Sequence, residues 1–123
     1  MATTKRQKNQ IERQLVVNLT EACEVAKAEI PGFDWLTHDN GSHQFPAGLR
    51  VTWIFDTQAN LERAIDNGDD RRIKALTKAA LEETGVGSQA VSACLQFDSE
   101  EACLKAQNGD WPARLAQIRR TRH

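Results

Sequence analysis

The sequence lacks the features that mark membrane, exported and disulfide-built proteins. No apolar run approaches the ~18–20 residues that span a bilayer, and the first 14 residues hold no signal-peptide core. The cysteines, Cys23, Cys94 and Cys103, are odd in number, widely spaced and without a Cys-x-x-Cys pair. Each stands where a small hydrophobic residue would fit, so we expect reduced core thiols. These absences favour a cytoplasmic protein with no membrane contact.

Motifs of nucleophilic and phosphate chemistry are also missing. No serine lies in a Gly-x-Ser-x-Gly context, and Gly85-Val86-Gly87 is too short to cradle a phosphate and lacks the following lysine. The acids Asp98, Glu100 and Glu101 are typical of a helix start, where they favour the positive end of the dipole. We therefore expect a protein that is not an enzyme and that needs no cofactor.

What the chain does have is the composition of one folded domain. Its 123 residues are 40% hydrophobic and 27% charged, which is typical of a soluble globular protein. We expect a single α+β domain over residues 1–123, with basic ends at about 1–10 and 116–123 that could be mobile.

Hydrophobic periodicity predicts the elements of that domain. Apolar residues at steps of three and four predict a helix from about residue 4 to residue 30, stopped by Pro31-Gly32. Alternation predicts strands over 33–37, 49–55 and 91–97, and a second stripe predicts a helix over 69–84. The order is helix-strand-strand-helix-helix-strand-helix, with Trp111-Pro112 opening a last short helix. It predicts an antiparallel or mixed three-stranded sheet with helices packed on one face.

One stretch of sequence is echoed later in the chain. Phe55-Asp56-Thr57 and Phe97-Asp98-Ser99 each precede a short helical pattern that ends in Asn-Gly-Asp. In both copies the Asp-Thr or Asp-Ser pair is expected to cap the helix, and Asn-Gly to close it. Two explanations remain open, namely common helix punctuation used twice and an ancient strand–helix duplication.

Two resemblances follow from these residues. The element order resembles the type II KH arrangement of RNA-binding and ribosome-assembly proteins, which bind RNA through a Gly-x-x-Gly loop between the two middle helices. The corresponding stretch here is Gly68-Asp69-Asp70-Arg71, without the second glycine. The segments 31–38, 45–49 and 55–57 are similar to a group of short proteobacterial proteins, some labelled Fis-like transcription regulators. That label implies a bacterial protein with a C-terminal helix-turn-helix.

Catalytic residue types cluster in one place, the segment from His38 to His43. Two imidazoles near Asp34 and Asp39 could bind a divalent metal or act as a general base with an orienting carboxylate. The alternative is a polar hairpin loop rich in turn formers, because His-x4-His is not a specific metal spacing. We expect no metal here.

The net charge of −1 conceals basic ends on an acidic body. Residues 14–113 hold 8 basic and 16 acidic side chains, whereas both ends are positively charged. The predicted nucleic-acid contacts are Lys5, Arg6, Lys8, Arg114, Arg119, Arg120 and Arg122. These ends could equally dock on an acidic protein surface, including that of a second copy. The favoured hypothesis is a regulatory module that acts through protein–protein contact or self-association, and the alternative is a nucleic-acid accessory protein.

Overall fold

The computed structural model describes residues 5–39, 49–84 and 94–121, and the side chains of 9–118 within those ranges. The elements are α1 (Lys5–Glu29), β1 (Phe33–Asp39), β2 (Arg50–Phe55), α2 (Gln58–Asp66), α3 (Asp69–Glu82), β3 (Leu95–Ser99), α4 (Glu100–Gln107) and α5 (Trp111–Thr121). The predicted α+β class and element order are confirmed.

The three strands form a mixed sheet in the order β1-β2-β3. β1 pairs with β2 antiparallel, and β2 pairs with β3 parallel, with Ile54 opposite Asp98 and Phe55 opposite Ser99. The sequence left open whether the sheet is antiparallel or mixed, and the structure shows that it is mixed. Within the described residues, β1 therefore forms one edge of the sheet.

The main core lies between one face of the sheet and the helices α1 and α3. Val51, Trp53 and Phe55 point to this face and are fully buried with Leu15 of α1 and Ile73 of α3. The indole Nε1–H of Trp53 donates to Thr77 Oγ1 at 3.1 Å, which satisfies the buried polar atom. Of the three tryptophans, Trp53 is thus a core residue.

The opposite face of the sheet is more polar but also buried. Thr52, Ile54, Gln96 and Asp98 alternate with the core residues along β2 and β3 and are at most 6% exposed. Arg114 of α5 reaches Asp98 on this face. The sheet therefore lies between α1 and α3 on one side and the Arg114 contact of α5 on the other.

Both echoed segments begin a helix with a side-chain cap and end it at an asparagine. Thr57 Oγ1 accepts from Asn60 N–H at the start of α2, and Ser99 Oγ accepts from Ala102 N–H at the start of α4, each at 3.1 Å. Asn67 and Asn108 are the C-terminal caps of these helices, as the sequence predicts. Asp110 then caps α5 through Ala113 N–H, whereas Asp69 lies in the first turn of α3 behind Gly68.

The strand bounds differ from the predicted ones at β3. The sequence predicted a strand over 91–97, of which 91–93 lie outside the described residues, and the observed strand ends at Ser99 instead. The extension arises because parallel pairing with β2 continues through Asp98 and Ser99. Asp98 is consequently a strand residue facing Arg114 rather than only a helix-capping acid.

Candidate binding groove beside the first helix

α1 exposes more apolar surface than its role in the core requires. The exposed large hydrophobic side chains among the described residues are Val16, Val17 and Val25 on α1, Ile65 on α2 and Leu104 on α4. Valine is a slightly unfavourable helix residue because its branched Cβ restricts χ1. Val16 and Val17 are about half exposed, at 47% and 50%, so folding gains little from them.

Val16 overhangs a groove between α1 and the edge strand β1. This β1 groove has a volume of about 210 Å³, and its walls include Val16, Leu19, Thr20, Cys23, Leu36 and His38. A second cavity of about 230 Å³, lined by Asn9, Glu12 and Arg13, shares Val16 and His38 with the β1 groove. The β1 groove therefore has mainly apolar walls with Glu24 among them, and the adjoining cavity beside the N-terminal half of α1 is lined by the charged Glu12 and Arg13.

A backbone contact defines how far α1 covers the edge of β1. The backbone N–H of Leu36 donates to the thiol of Cys23, and it therefore points away from β2. Because backbone groups alternate direction along an antiparallel strand, the N–H and C=O of His38 also point away from β2. α1 thus occupies the edge at Leu36, and the groove lies beside His38.

Cys23 is a half-buried thiol at the floor of this groove. Desolvation raises the pKa of Cys23 above its ordinary value, and the nearby Lys27 ammonium and the Leu36 N–H oppose that rise. Burial likewise raises the pKa of the Cys94 and Cys103 thiols. All three cysteines are free, so they act as core or groove-lining thiols rather than as disulfide partners.

The predicted histidine site is described only in part. His38 lies half-buried on β1 in the β1 groove, whereas His43 falls outside the described residues. Over 5–39, 49–84 and 94–121, no group of three or more His, Cys, Asp and Glu side chains could hold a metal ion. His38 is therefore placed as a lining residue of the β1 groove.

Arg114, one of the predicted nucleic-acid contacts, is already paired. Its Nε donates to Asp98 Oδ2 at 2.6 Å and its Nη2 to Asp98 Oδ1 at 2.9 Å. The hydrogen bonds to Asp98 raise the pKa of the Arg114 guanidinium, and both side chains are largely buried, at 18% and 6% exposed. Its charge is balanced within the domain.

Two tryptophans hold the start of α5 beside this pair. The indole N–H groups of Trp35 and Trp111 both donate to the carboxylate of Glu100. Their rings meet edge to face with centroids 5.4 Å apart. Trp35 and Trp111 are half-buried, so their contact fixes α5 on the domain and leaves little free aromatic surface.

The remaining predicted basic contacts stand at the helical ends of the chain. Lys5, Arg6 and Lys8 lie in the first turns of α1, and Arg119 and Arg120 lie in the last turns of α5. Arg122 lies outside the described residues. The backbone of each basic end is therefore helical where it is described, and the structure describes none of these six side chains.

The stretch that corresponds to a KH loop is not a phosphate cradle here. Gly68 adopts a φ of 83° and joins α2 to α3, and Asp69 and Asp70 form the first turn of α3. Two carboxylates at this helix start repel a phosphate that would approach it. The charge at this loop therefore does not favour a phosphate contact there.

The starts of α2 and α4 satisfy each other's backbone groups. Gln58 N–H, at the start of α2, donates to Glu101 Oε1 at 2.9 Å, and Glu101 N–H donates to Asp56 O at 3.2 Å. Ser99 Oγ donates to Gln58 Oε1 at 3.2 Å. Because donors that would bind an anion already have partners, this end of the sheet serves to join the two strand–helix units.

Comparison of the chain with protein-family models, with curated proteins and with solved structures yields no match. No helix in the described part of the chain is long and apolar enough to cross a membrane.

His38 and the first helix are recognisable from the sequence, but the groove between them is not. Val16 was not singled out and Cys23 was predicted only as a core thiol, because a groove depends on how α1 lies against β1. A usable signal was present, since Val16 and Val17 lie outside the apolar stripe of α1.

Proposed function

We propose that this protein acts by binding another protein through the β1 groove rather than by catalysing a reaction. The observation that carries the proposal is the apolar groove between α1 and an edge strand, overhung by the half-exposed Val16. Among the described strands β1 is the outer one, and an exposed apolar patch beside outward-pointing backbone groups of an edge strand is the arrangement that receives an extended segment.

The bound segment would lie along the lower half of β1. His38 offers outward backbone groups for main-chain hydrogen bonds, as in strand addition at a sheet edge. An apolar side chain of the segment would enter between Val16 and Leu36, where Cys23 forms the floor. We expect this binding to occur in the cytoplasm, since the three free thiols suit a reducing compartment.

The test is photo-cross-linking from inside the groove. Benzoylphenylalanine is placed at Val16, or at Leu104 on α4, and each full-length protein is irradiated in cells of its native host. Leu104 is a matched control, because it is an exposed apolar helix residue, 64% exposed, outside the β1 groove. We expect a defined covalent adduct from position 16 and not from position 104.

Mass spectrometry of the adduct distinguishes a second copy of this chain from a different protein. Either composition supports binding at the groove. Failure of position 16 to give an adduct above the level of position 104 contradicts the proposal. Circular dichroism of both labelled proteins shows that each has kept its fold.

A further inference from the structure

A second groove lies on the other flank of α1, against α3. This α3 groove has a volume of about 170 Å³, with Ala22, Val25, Leu76 and Ala79 among its apolar walls and Glu21 and Glu83 at its rim. α1 and α3 run antiparallel, since Asn18 donates to Ala80 O at 3.1 Å and Glu29 pairs with Arg72 at 2.9 Å. The Glu29–Arg72 pair lies at the C-terminal end of α1.

In the part of the chain that the structure describes, the two carboxylates of the α3 groove make no ion pair. Among the described residues, the ion pairs on these two helices are Arg72–Glu29 and Lys78–Glu82, so neither Glu21 nor Glu83 is paired. Glu83 is also the C-terminal cap of α3, whose last turn contains no basic residue. A carboxylate at the negative end of a helix dipole is unfavourable, so an external cation is attracted there.

An apolar floor with two carboxylates at its rim suits an arginine side chain. The methylene stem of arginine covers apolar surface while its guanidinium remains at the polar rim. The planar guanidinium donates two parallel hydrogen bonds to a carboxylate, which a lysine ammonium does not do. The chemistry of the α3 groove therefore favours an arginine-rich segment over a lysine-rich one.

We infer that the α3 groove binds the arginine-rich C-terminal end, Arg119, Arg120 and Arg122, of a second copy of this chain. This end contains three arginines and no acid, whereas residues 14–113 carry twice as many acids as bases. Within one copy of the chain, the α3 groove and α5 lie on opposite sides of the sheet, because Arg114 of α5 contacts Asp98 on the face opposite α1 and α3. The contact is thus between copies, and it is independent of the β1 groove.

The test is reversible association in sedimentation velocity, with full-length protein at about 50 mM and about 500 mM salt. We expect concentration-dependent association of the wild type at low salt that weakens at high salt. The groove variant Glu21→Arg/Glu83→Arg and the tail variant Arg119→Glu/Arg120→Glu/Arg122→Glu should each weaken association by about tenfold or more. An equimolar mixture of the two variants should associate again, because acidic tails then meet a cationic groove.

Two controls carry the same changes of charge elsewhere. Glu62→Arg/Asp66→Arg reverses two exposed acids on α2, and Lys5→Glu/Arg6→Glu/Lys8→Glu reverses the other basic end. We expect both controls to associate like the wild type. A wild type that is monomeric at both salt concentrations, or a groove variant that associates normally, overturns the inference. If the Lys5/Arg6/Lys8 variant loses association while the tail variant associates like the wild type, the C-terminal end is not the segment that binds the α3 groove. Cross-linking at Val16 can succeed or fail independently of these results, because Val16 lines the β1 groove and not the α3 groove.

Discussion

Gly32 shows how one residue sets the angle between α1 and β1. Its φ of 86° lies in the left-handed region, and a Cβ built on it would stand 2.5 Å from Asn60 Cβ. Both constraints act at the point where the chain leaves the helix and enters the edge strand of the groove. Only glycine satisfies the two together.

Replacement of Gly32 by alanine should therefore be costly. We expect Gly32→Ala to lower the free energy of unfolding by more than Gly109→Ala, which should lose about 1–3 kcal/mol. Gly109 has a similar φ of 84° but open space around its Cβ position, so it carries the backbone strain without the clash. Urea denaturation of both variants measures the difference. Equal losses would mean that the approach to Asn60 is unimportant.

The Asp98–Arg114 pair is the second residue-scale feature on which the fold depends. We expect Arg114→Met to lower the free energy of unfolding by about 3 kcal/mol, because it leaves the buried Asp98 carboxylate without its cation. Asp98→Asn/Arg114→Met should recover part of this loss, since no charge is then stranded. A double mutant that unfolds as easily as Arg114→Met would show that stranded charge is not the cause.

At the scale of elements, the two parallel strand–helix units depend on each other's end groups. Glu101 of α4 accepts from the first N–H of α2, so a side chain of one unit caps the helix of the other. Glu101 also lies 3.9 Å from Lys105, in an exposed i,i+4 pair. The cap is the stronger of the two interactions, since exposed pairs contribute little.

Two variants separate these roles of Glu101. Glu101→Ala should lower the free energy of unfolding by about 1 kcal/mol, which is the usual cost of a lost cap. Lys105→Ala removes only the ion pair and should change stability by less than about 0.5 kcal/mol. Chemical denaturation compares them directly. Similar losses in both variants would assign the effect to the ion pair instead.

Local patterns predicted the elements well wherever a single element explains the pattern. The apolar stripe from Ile11 to Ile30, with the stop at Pro31-Gly32, predicted a helix from about residue 4 to residue 30, which is within one residue of α1 at each end, because its buried side faces one core. The observed β3 ends two residues later than the predicted strand, because its end depends on pairing with β2. The cap from Glu101 to α2 could not be predicted for the same reason, since it joins residues 43 positions apart.

At the scale of the whole molecule, charge is divided between helical basic ends and an acidic body. The charge distribution along the sequence predicted this division. It did not predict that Arg114 forms an ion pair with Asp98, or that Glu21 and Glu83 line the same groove. Such features depend on how helices meet, which a single sequence does not show. The grooves on either flank of α1 are therefore findings of the structure.

The nucleic-acid hypothesis makes a separate prediction at this scale. If the basic ends bind phosphates, the affinity for labelled single-stranded RNA and duplex DNA falls steeply with salt concentration. For duplex DNA, the logarithm of the binding constant falls with the logarithm of the salt concentration with a slope of about −0.9 per phosphate contact. We expect wild type to bind weakly and no better than a variant with glutamine at the six basic end positions other than Arg114, namely Lys5, Arg6, Lys8, Arg119, Arg120 and Arg122. A steep slope that the variant loses would favour nucleic acid over protein as the partner.

The most direct measurement of the central claim asks whether the apolar wall of the β1 groove holds the partner. A cross-linker at Thr20, which also lines the groove, is combined with Val16→Asp or with Leu104→Asp on α4. Both aspartates replace exposed helix residues, so thermal unfolding should change little. We predict that Val16→Asp lowers the adduct yield by about tenfold while Leu104→Asp leaves it unchanged. Equal yields from the two variants would contradict binding at the β1 groove.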